Sequence, residues 1–443
     1  MNRREFLKAT SVGLAALSLP ACRTSATAAG ESPMAGKPVA ANRPNIIMIL
    51  GDDVALGNLG CTGGPFKTPH IDALAKDGLR FSQCYAMPQC SPTRCVALTG
   101  RYPFRTGLLG NHDRETVDPK QEVMIPTVMK QAGYVTASVG KWHVGPLGPG
   151  EWGFDEYLVF PGSGLYWRDK KPQSKYYNVN GQRHDLPEGQ YLPDILHEFL
   201  VNFLTKHKDQ PFFVYYPMSH IHGTIVRTPD SKPGADEDRL YVDNIEYMDK
   251  LVGKLMTELD RLHLREKTLV LFTGDNGTSG GYSKMATVNG KPLSGHKLKL
   301  LEGGSRVPLI CNWPGVTPAG KVLNDLVDFS DFFTTFADLG GAKLPEGVKL
   351  DGHSFAPQLR GEKGSPRDWI FVQLGAKWYV RDQGFKLTES GELFDMTDAP
   401  FVEKPANNDA ARAKLQAILT QLNPTAGKAG NAGKSALKSE AED

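Results

Sequence analysis

Cysteine is scarce in this chain: there are six in 443 residues, and none is spaced as C-x-x-C. The scarcity excludes a disulfide scaffold, and the spacing excludes a zinc ribbon or a thioredoxin-type redox site. A surplus of one charge is also missing. Lys and Arg number 51 against 49 Asp and Glu, a net of +2, which excludes a nucleic-acid binder with a clustered basic surface. No internal repeat is visible. Beyond residue 30 no apolar run is long enough to cross a bilayer, so the mature chain has no transmembrane segment. The length allows one large domain plus a small one, with a sizeable buried core.

The chain opens with an address. Arg3-Arg4-Glu5-Phe6-Leu7-Lys8 is a basic start with a twin arginine, followed by the apolar run Val12 to Leu19. That run is too short for a stop-transfer helix, and residues 1–30 have the form of a signal peptide. The twin arginine matches the Tat route, which exports folded protein. Leu19-Pro20-Ala21-Cys22 reads as a lipoprotein box, and cleavage near Ala26-Thr27-Ala28 is the rival reading. The expectation is an exported protein, either periplasmic or lipid-anchored at Cys22. Residues 31–42 continue an Ala-, Gly-, Ser- and Pro-rich stretch that reads as a linker.

Residues 43–366 read as an α/β domain. Asn45-Ile46-Ile47-Met48-Ile49-Leu50 is a continuous apolar run, as a strand buried on both faces requires. Tyr134–Val139, Phe212–Tyr216, Thr268–Phe272 and Val307–Cys311 are further strands. Thr68-Pro69 before Ile71, Leu74 and Ala75 predicts a short capped helix. Ile245, Met248, Val252, Leu255, Leu259 and Leu262 step by three and four, which puts one apolar stripe of a long helix on the sheet. Buried strands alternating with such helices predict a large, mostly parallel sheet flanked by helices. From Arg367 the texture changes. Trp369–Gln373, Lys377–Val380 and Phe385–Thr388 are short strands joined by tight turns, and Asp409–Leu422 is a last helix. Residues 367–423 therefore read as a small antiparallel module, and 424–443 as a disordered polar tail.

Each long strand leads into polar residues. After Leu50 come Gly51-Asp52-Asp53, and after Val139 come Gly140-Lys141-Trp142-His143. After Tyr216 come Ser219-His220-Ile221-His222, and after Phe272 come Gly274-Asp275-Asn276-Gly277. Ligands bind outside the carboxyl ends of strands in open α/β sheets, so these segments converge on one rim. Asp52, Asp53, Asp275 and Asn276 are hard oxygen donors that suit Ca²⁺ or Mg²⁺. Singly, each has an ordinary alternative. Adjacent acids are common in loops, Asp-Asn-Gly is a turn, and His220 with His222 is either a zinc pair or two hydrogen-bonded histidines. Cys61, Cys84, Cys95 and Cys311 read as small buried thiols, with a Cys84–Cys95 bridge as the alternative. Trp152, Phe154, Tyr166, Trp167 and Arg101 read as structural.

One stretch stands apart: Cys90-Ser91-Pro92-Thr93-Arg94, followed by Cys95 and then Leu98-Thr99-Gly100-Arg101. C-x-P-[ST]-R with L-T-G-R after it resembles the signature of the formylglycine-dependent sulfatases, within the alkaline phosphatase superfamily. Gly140-Lys141-Trp142-His143 resembles their G-K-W-H block, and Lys297 stands before Glu302-Gly303-Gly304-x-Arg306 as their lysine stands before E-G-G-x-R. The resemblance covers about residues 43 to 400. It departs at Thr224, where H-x-P has proline after the histidine aligned with His222, and at His296 and Leu298, where glycines are common.

The resemblance implies a maturation enzyme that converts Cys90 to formylglycine, and a divalent metal held by Asp52, Asp53, Asp275, Asn276 and the residue at 90. It implies that a hydroxyl of the aldehyde hydrate attacks sulfur in line and displaces the alcohol or phenol. Arg94 and Lys141 would steady the modified side chain, His143 would take a proton, and Lys297 and His222 would hold sulfate and assist the leaving oxygen. The substrate would be a sulfated small molecule or glycan, an aryl or carbohydrate sulfate. Two rivals stand beside this reading. A phospho- or phosphonate-ester hydrolase of the same superfamily would carry two metals and a Ser or Thr nucleophile. A sulfated-glycan binding protein would keep the ligands without needing Cys90.

Overall fold

The computed structural model describes residues 43–164, 166–168 and 175–426. The expected signal peptide, linker, Cys22 and tail beyond 426 lie outside them, as does part of the loop between Pro161 and Arg183. In chain order the strands are β1 (Asn45–Gly51), β2 (Leu79–Tyr85), β3 (Val135–Lys141), β4 (Glu156–Phe160), β5 (Tyr176–Val179) and β6 (Gln182–Asp185). Then follow β7 (Phe212–Pro217), β8 (Thr268–Gly274), β9 (Thr287–Val288), β10 (Lys291–Pro292), β11 (Arg306–Asn312) and β12 (Lys321–Asp328). The last five are β13 (Ile370–Leu374), β14 (Lys377–Arg381), β15 (Phe385–Thr388), β16 (Leu393–Asp395) and β17 (Lys404–Pro405).

Ten strands make one sheet, in the order β12-β2-β11-β8-β1-β7-β3-β4-β5-β6. Only β11 and β5 run against their neighbours, so the sheet is mostly parallel as predicted. β1 lies at its centre, fully buried, and the period of two along it feeds two cores. Ile46, Met48 and Leu50 enter the core that also holds Phe213, Tyr215, Leu269 and Leu271. Ile47 and Ile49 enter the one on the opposite face, with Val214, Tyr216, Val270 and Phe272. This two-sided burial is why the sequence shows unbroken apolar runs rather than alternation.

The helix stripe seats as its spacing predicts: Ile245, Met248, Val252, Leu255 and Leu259 of helix Glu237–Arg261 are buried in the second core. Two details differ from expectation. β11 is antiparallel, which a short apolar run does not reveal. β2 and β12 are not apparent in the sequence because they lie at one end of the sheet and are partly exposed, so their apolar pattern is broken. The cap of helix Pro69–Lys76 also comes from elsewhere. Thr68 makes no side-chain cap bond, and Asp249 of the long helix accepts from His70 N and Ile71 N at 3.1 and 2.8 Å.

β13 to β17 form the separate antiparallel sheet expected after Arg367, followed by helix Asp409–Leu422. Its inner residues, among them Ile370, Val372 and Tyr379, join the same core as the first face of the large sheet. Five cysteines lie among the described residues, all free, so the Cys84–Cys95 bridge is not formed. Trp152, Phe154 and Tyr166 are buried, and Arg101 pairs with Glu122 at 2.9 Å, as structural residues should. No helix of the described residues is long and apolar enough to cross a membrane.

Candidate active site

β8, β1, β7 and β3 lie side by side in one direction, so the polar segments that follow them emerge at one edge. Backbone bonds fix the segments to each other. Asp52 N donates to His220 O at 2.7 Å, Ile221 N to Asp52 O at 2.6 Å, and Asp275 N to Gly51 O at 2.9 Å. Two glycines are required by this crowding. At Gly140 φ is +129°, and a Cβ would stand 1.9 Å from Pro217 O. At Gly277 a Cβ would stand 1.8 Å from Gly303 O, the contact that packs the Asp275-Asn276-Gly277 turn on the Glu302-Gly303-Gly304 segment.

Cys90 is the first residue of helix Cys90–Thr99, which follows β2 after a four-residue link ending in an extended Gln89. Pro92 lies in the first turn, where its missing N–H breaks no helical bond. Thr93 Oγ1 donates to Met87 O at 2.8 Å and Gln89 O at 3.0 Å, fastening the entry. Arg94 is one turn on from Cys90 and shares its face. Its Nη2 and Nε meet Asp275 Oδ2 at 2.6 and 3.2 Å, and Nη1 donates to Lys141 O at 3.1 Å. Thr93 and Arg94 of the C-x-P-T-R pattern thus tie the start of this helix to the segments around it.

Cys90 Sγ is 3.7 Å from Asp52 Oδ1, and Lys141 Nζ donates to Asp52 Oδ2 at 2.7 Å. Lys297 Nζ lies 3.0 and 3.2 Å from the two oxygens of Asp53, and Asn276 Nδ2 donates to Asp53 Oδ1 at 2.7 Å. Donor atoms of Asp52, Asp53, Cys90 and His222 all fall within 4.8 Å of one another. Asn276 Oδ1 is buried beside them with no hydrogen-bond partner. Asp275 offers Oδ1 to Asp53 N at 3.0 Å and Oδ2 to Arg94. Oxygen donors this close, one of them buried without a partner, fit a hard divalent cation.

The charges are buried together: Asp52, Asp275, Arg94 and Lys141 are each 0 % exposed. Burial alone would raise Asp52, but Lys141, His222, Arg94 and Lys297 overturn that and hold it well below the carboxylate range. Asp275 is pushed up to about 6 by burial and the adjacent Asp52, against the pull of Arg94. Burial pushes the Cys90 thiol up to about 12. Burial, Lys141 and Arg114 keep His143 neutral, and burial lowers His222. Lys297 stays charged because Asp53 outweighs its burial. The backbone is strained at three of these places. Asp53, His143 and Leu298 have φ of +63°, +51° and +66°, in the left-handed region. At Leu298 this shows why glycine suits the position after Lys297.

A family model described as Sulfatase matches residues 44–342. The chain belongs to the sulfatase family. It is 34% identical to N-acetylgalactosamine-6-sulfatase of Canis lupus familiaris, over 75% of this chain and 69% of that protein. It is 28% identical to arylsulfatase D of Homo sapiens, over 77% of this chain and 74% of that protein. Among solved structures, Ps i-CgsB in complex with k-i-k-neocarrahexaose superposes with a TM-score of 0.76 at 28% identity, covering 89% of this chain and 94% of the other. The protein is therefore a sulfuric ester hydrolase.

In this sulfatase the ten residues singled out from sequence share one site, but not one kind of environment. His143 Nδ1 faces Ser91 Oγ at 3.1 Å, on the Cys90 helix. His222 Nδ1 donates to Gly223 O at 2.6 Å, which leaves Nε2 for the site. His220 is separate: its Nε2 pairs with Tyr191 OH at 2.9 Å among Tyr166 and Tyr247, so it forms no zinc pair with His222. Sequence reading missed Asn111, whose Oδ1 accepts Ser91 N at 3.1 Å, and the outer cavity residues Glu237 and Tyr282. No spacing or motif in the chain marks these three.

Proposed function

We propose that this sulfatase is an exported enzyme that cleaves aryl or carbohydrate sulfate monoesters through a formylglycine made from Cys90 by a maturation enzyme. The observation that carries the reading is the place of Cys90. Its C-x-P-T-R context sets it at a helix start, 3.7 Å from Asp52 in a cluster of metal donors, with Lys297 and His222 beside the same cluster. The curated relatives are named for aryl and amino-sugar sulfates, and the structural neighbour was solved with a carrageenan-type oligosaccharide, which supports an aryl or sugar ester here.

Asp52, Asp53 and Asn276 would hold a Ca²⁺ or Mg²⁺, with Asp275 steadied by Arg94 at its edge. A bound cation supplies a Lewis acid for a sulfate oxygen and lowers the pKa of a hydroxyl near it. Residue 90, once converted, would supply a hydrated aldehyde whose one hydroxyl replaces the alcohol or phenol on sulfur and whose other gives up a proton as sulfate leaves. The chain's own groups do the rest. Lys141 and Arg94 fix the carboxylates about position 90. Neutral His143 has Nε2 to accept a proton in the tautomer whose Nδ1–H donates to Ser91 Oγ. Lys297 and His222 border the cavity where the ester must lie, placed to bind its oxygens and to protonate the leaving oxygen. Three carboxylates (Asp52, Asp53, Asp275) face three permanent cations (Arg94, Lys141, Lys297), so a divalent ion leaves a positive surplus that favours an anionic ester.

The test is paired. Mass spectrometry of the peptide containing Cys90 should show the aldehyde, and Cys90→Ala should fold normally yet release no sulfate. Turnover by Cys90→Ala comparable to the parent overturns the reading.

A further inference from the structure

The cavity beside the ion cluster has a second chemistry. It encloses about 310 Å³, with Asp53, His222 and Lys297 as its buried walls. Toward solvent it is walled by Thr224, Ser279, Tyr282 and Glu237. An ester whose sulfate sat against the buried walls would rest its organic part against the outer ones, because the space is continuous.

Glu237 and Tyr282 are built into that wall. The Tyr282 ring lies flat on buried Tyr241, centroids 4.2 Å apart and planes 4° apart. Tyr241 OH in turn accepts from Asn58 Nδ2 at 2.8 Å. Tyr282 OH donates to Glu237 Oε1, and Oε2 has no partner among the described residues. Glu237 opens helix Glu237–Arg261, where an acidic side chain complements the N-terminal end of the helix dipole. The result is a fixed negative acceptor with one oxygen free. Such a group accepts from hydroxyl and ammonium donors and repels a second anion. It is opposite in charge to the sulfate-holding end, so it cannot serve as a second sulfate site.

Resting on the sulfatase reading above, we infer that Glu237, held by Tyr282, is a specificity-determining residue of this active site. It selects sulfate esters whose organic part offers hydroxyl or ammonium donors, as neutral and amino sugars do. It rejects esters that carry a second negative charge, such as uronate or multiply sulfated units. The recognition is a difference between substrates, achieved as much by repulsion as by contact.

The test compares kcat/KM for the parent, Glu237→Gln and Tyr282→Phe on four phenyl sulfates, bearing meta hydroxymethyl, aminomethyl or carboxylate groups, or para nitro. Taking variant-to-parent ratios removes leaving-group effects, and 4-nitrophenyl sulfate is the reference within each protein. Relative to that reference, Glu237→Gln should raise use of the carboxylate ester about tenfold and lower use of the aminomethyl ester by a similar factor. The hydroxymethyl ester should fall less, and Tyr282→Phe should shift all three in the same sense by less. The carboxylate effect should shrink in molar salt, as a charge effect does and a packing defect does not. Equal ratios on all four esters overturn this inference alone. No turnover of any ester by protein with a converted Cys90 overturns the catalytic reading and this inference with it.

Discussion

Asp53 is the residue on which several demands meet. It is 2 % exposed, has a left-handed backbone, pairs with Lys297 and accepts from Asn276. Its bond to Asn276, whose Oδ1 is unsatisfied, makes it the point at which loss of the proposed metal would be most readable. Asp53→Ala and Asn276→Ala should each lose stoichiometric Ca²⁺ or Mg²⁺ by elemental analysis, together with activity, since losing one ligand typically removes most of the affinity of so small a donor set. Zinc retained by both variants would overturn the assignment. The substrate-side residues separate by chemistry. If Lys297 and His222 help protonate the leaving oxygen, their alanine variants should lose about 10²–10⁴ in kcat/KM on sugar sulfates. Activated 4-nitrophenyl sulfate should lose clearly less. Equal losses along a leaving-group series would show that both only bind sulfate.

At the scale of elements, the small C-terminal sheet reaches the active-site loop through Glu302. This carboxylate, 1 % exposed, meets Arg381 of β14 at 2.8 Å, Arg306 at 3.1 Å and Tyr85 OH at 3.0 Å. Glu302 ends the loop that carries Lys297, so Arg381 positions that lysine indirectly. Arg381→Ala leaves a buried carboxylate short of a cation and should cost about 3–5 kcal/mol in denaturant unfolding. The pH dependence has a definite sign. Burial raises Glu302, but Arg381 and Arg306 outweigh it, and the folded value lies below the ordinary 4.5. Its contribution to stability is therefore fully present above about pH 4.5 and is lost as the pH falls through the lower folded value. The stability gap between the parent and Glu302→Gln should narrow as pH drops below 4.5. A gap that is constant with pH would assign the bonds a purely steric role.

At the scale of the whole molecule, the twin arginine and the chemistry of Cys90 have to be reconciled in time. Cys90 is 0 % exposed at the head of a buried helix, so on the proposed reading a maturation enzyme would have to reach it before the sheet closes. A Tat-type route exports folded chains, so if this chain takes it, we propose that both conversion and folding precede export. Replacing Arg3-Arg4 by Lys-Lys should leave protein inside the cell that is already converted at position 90 and active on lysis. Normal export of that variant would remove the Tat reading, and trapped protein with intact Cys90 would reverse the proposed order.

The sequence alone carried the centre of this protein. β1, β7 and β8 were legible because burial on both faces demands unbroken apolar runs, and their polar continuations were legible because they fall just past the strand ends. Cys90, Pro92, Thr93 and Arg94 were legible through the resemblance of their order to the sulfatase signature. Lys297 was visible only through resemblance, since its loop has no periodicity. The tertiary structure decided what depends on neighbours distant in sequence. It turned β11 antiparallel, moved the cap of Pro69–Lys76 to Asp249, and set His222 rather than His220 beside Asp52 and Asp53. It also turned Asp275 toward Arg94. Glu237 and Tyr282 came together only in space, across 45 residues. A substrate wall is assembled from side chains that meet at a surface, and no local pattern in the chain records where surfaces meet.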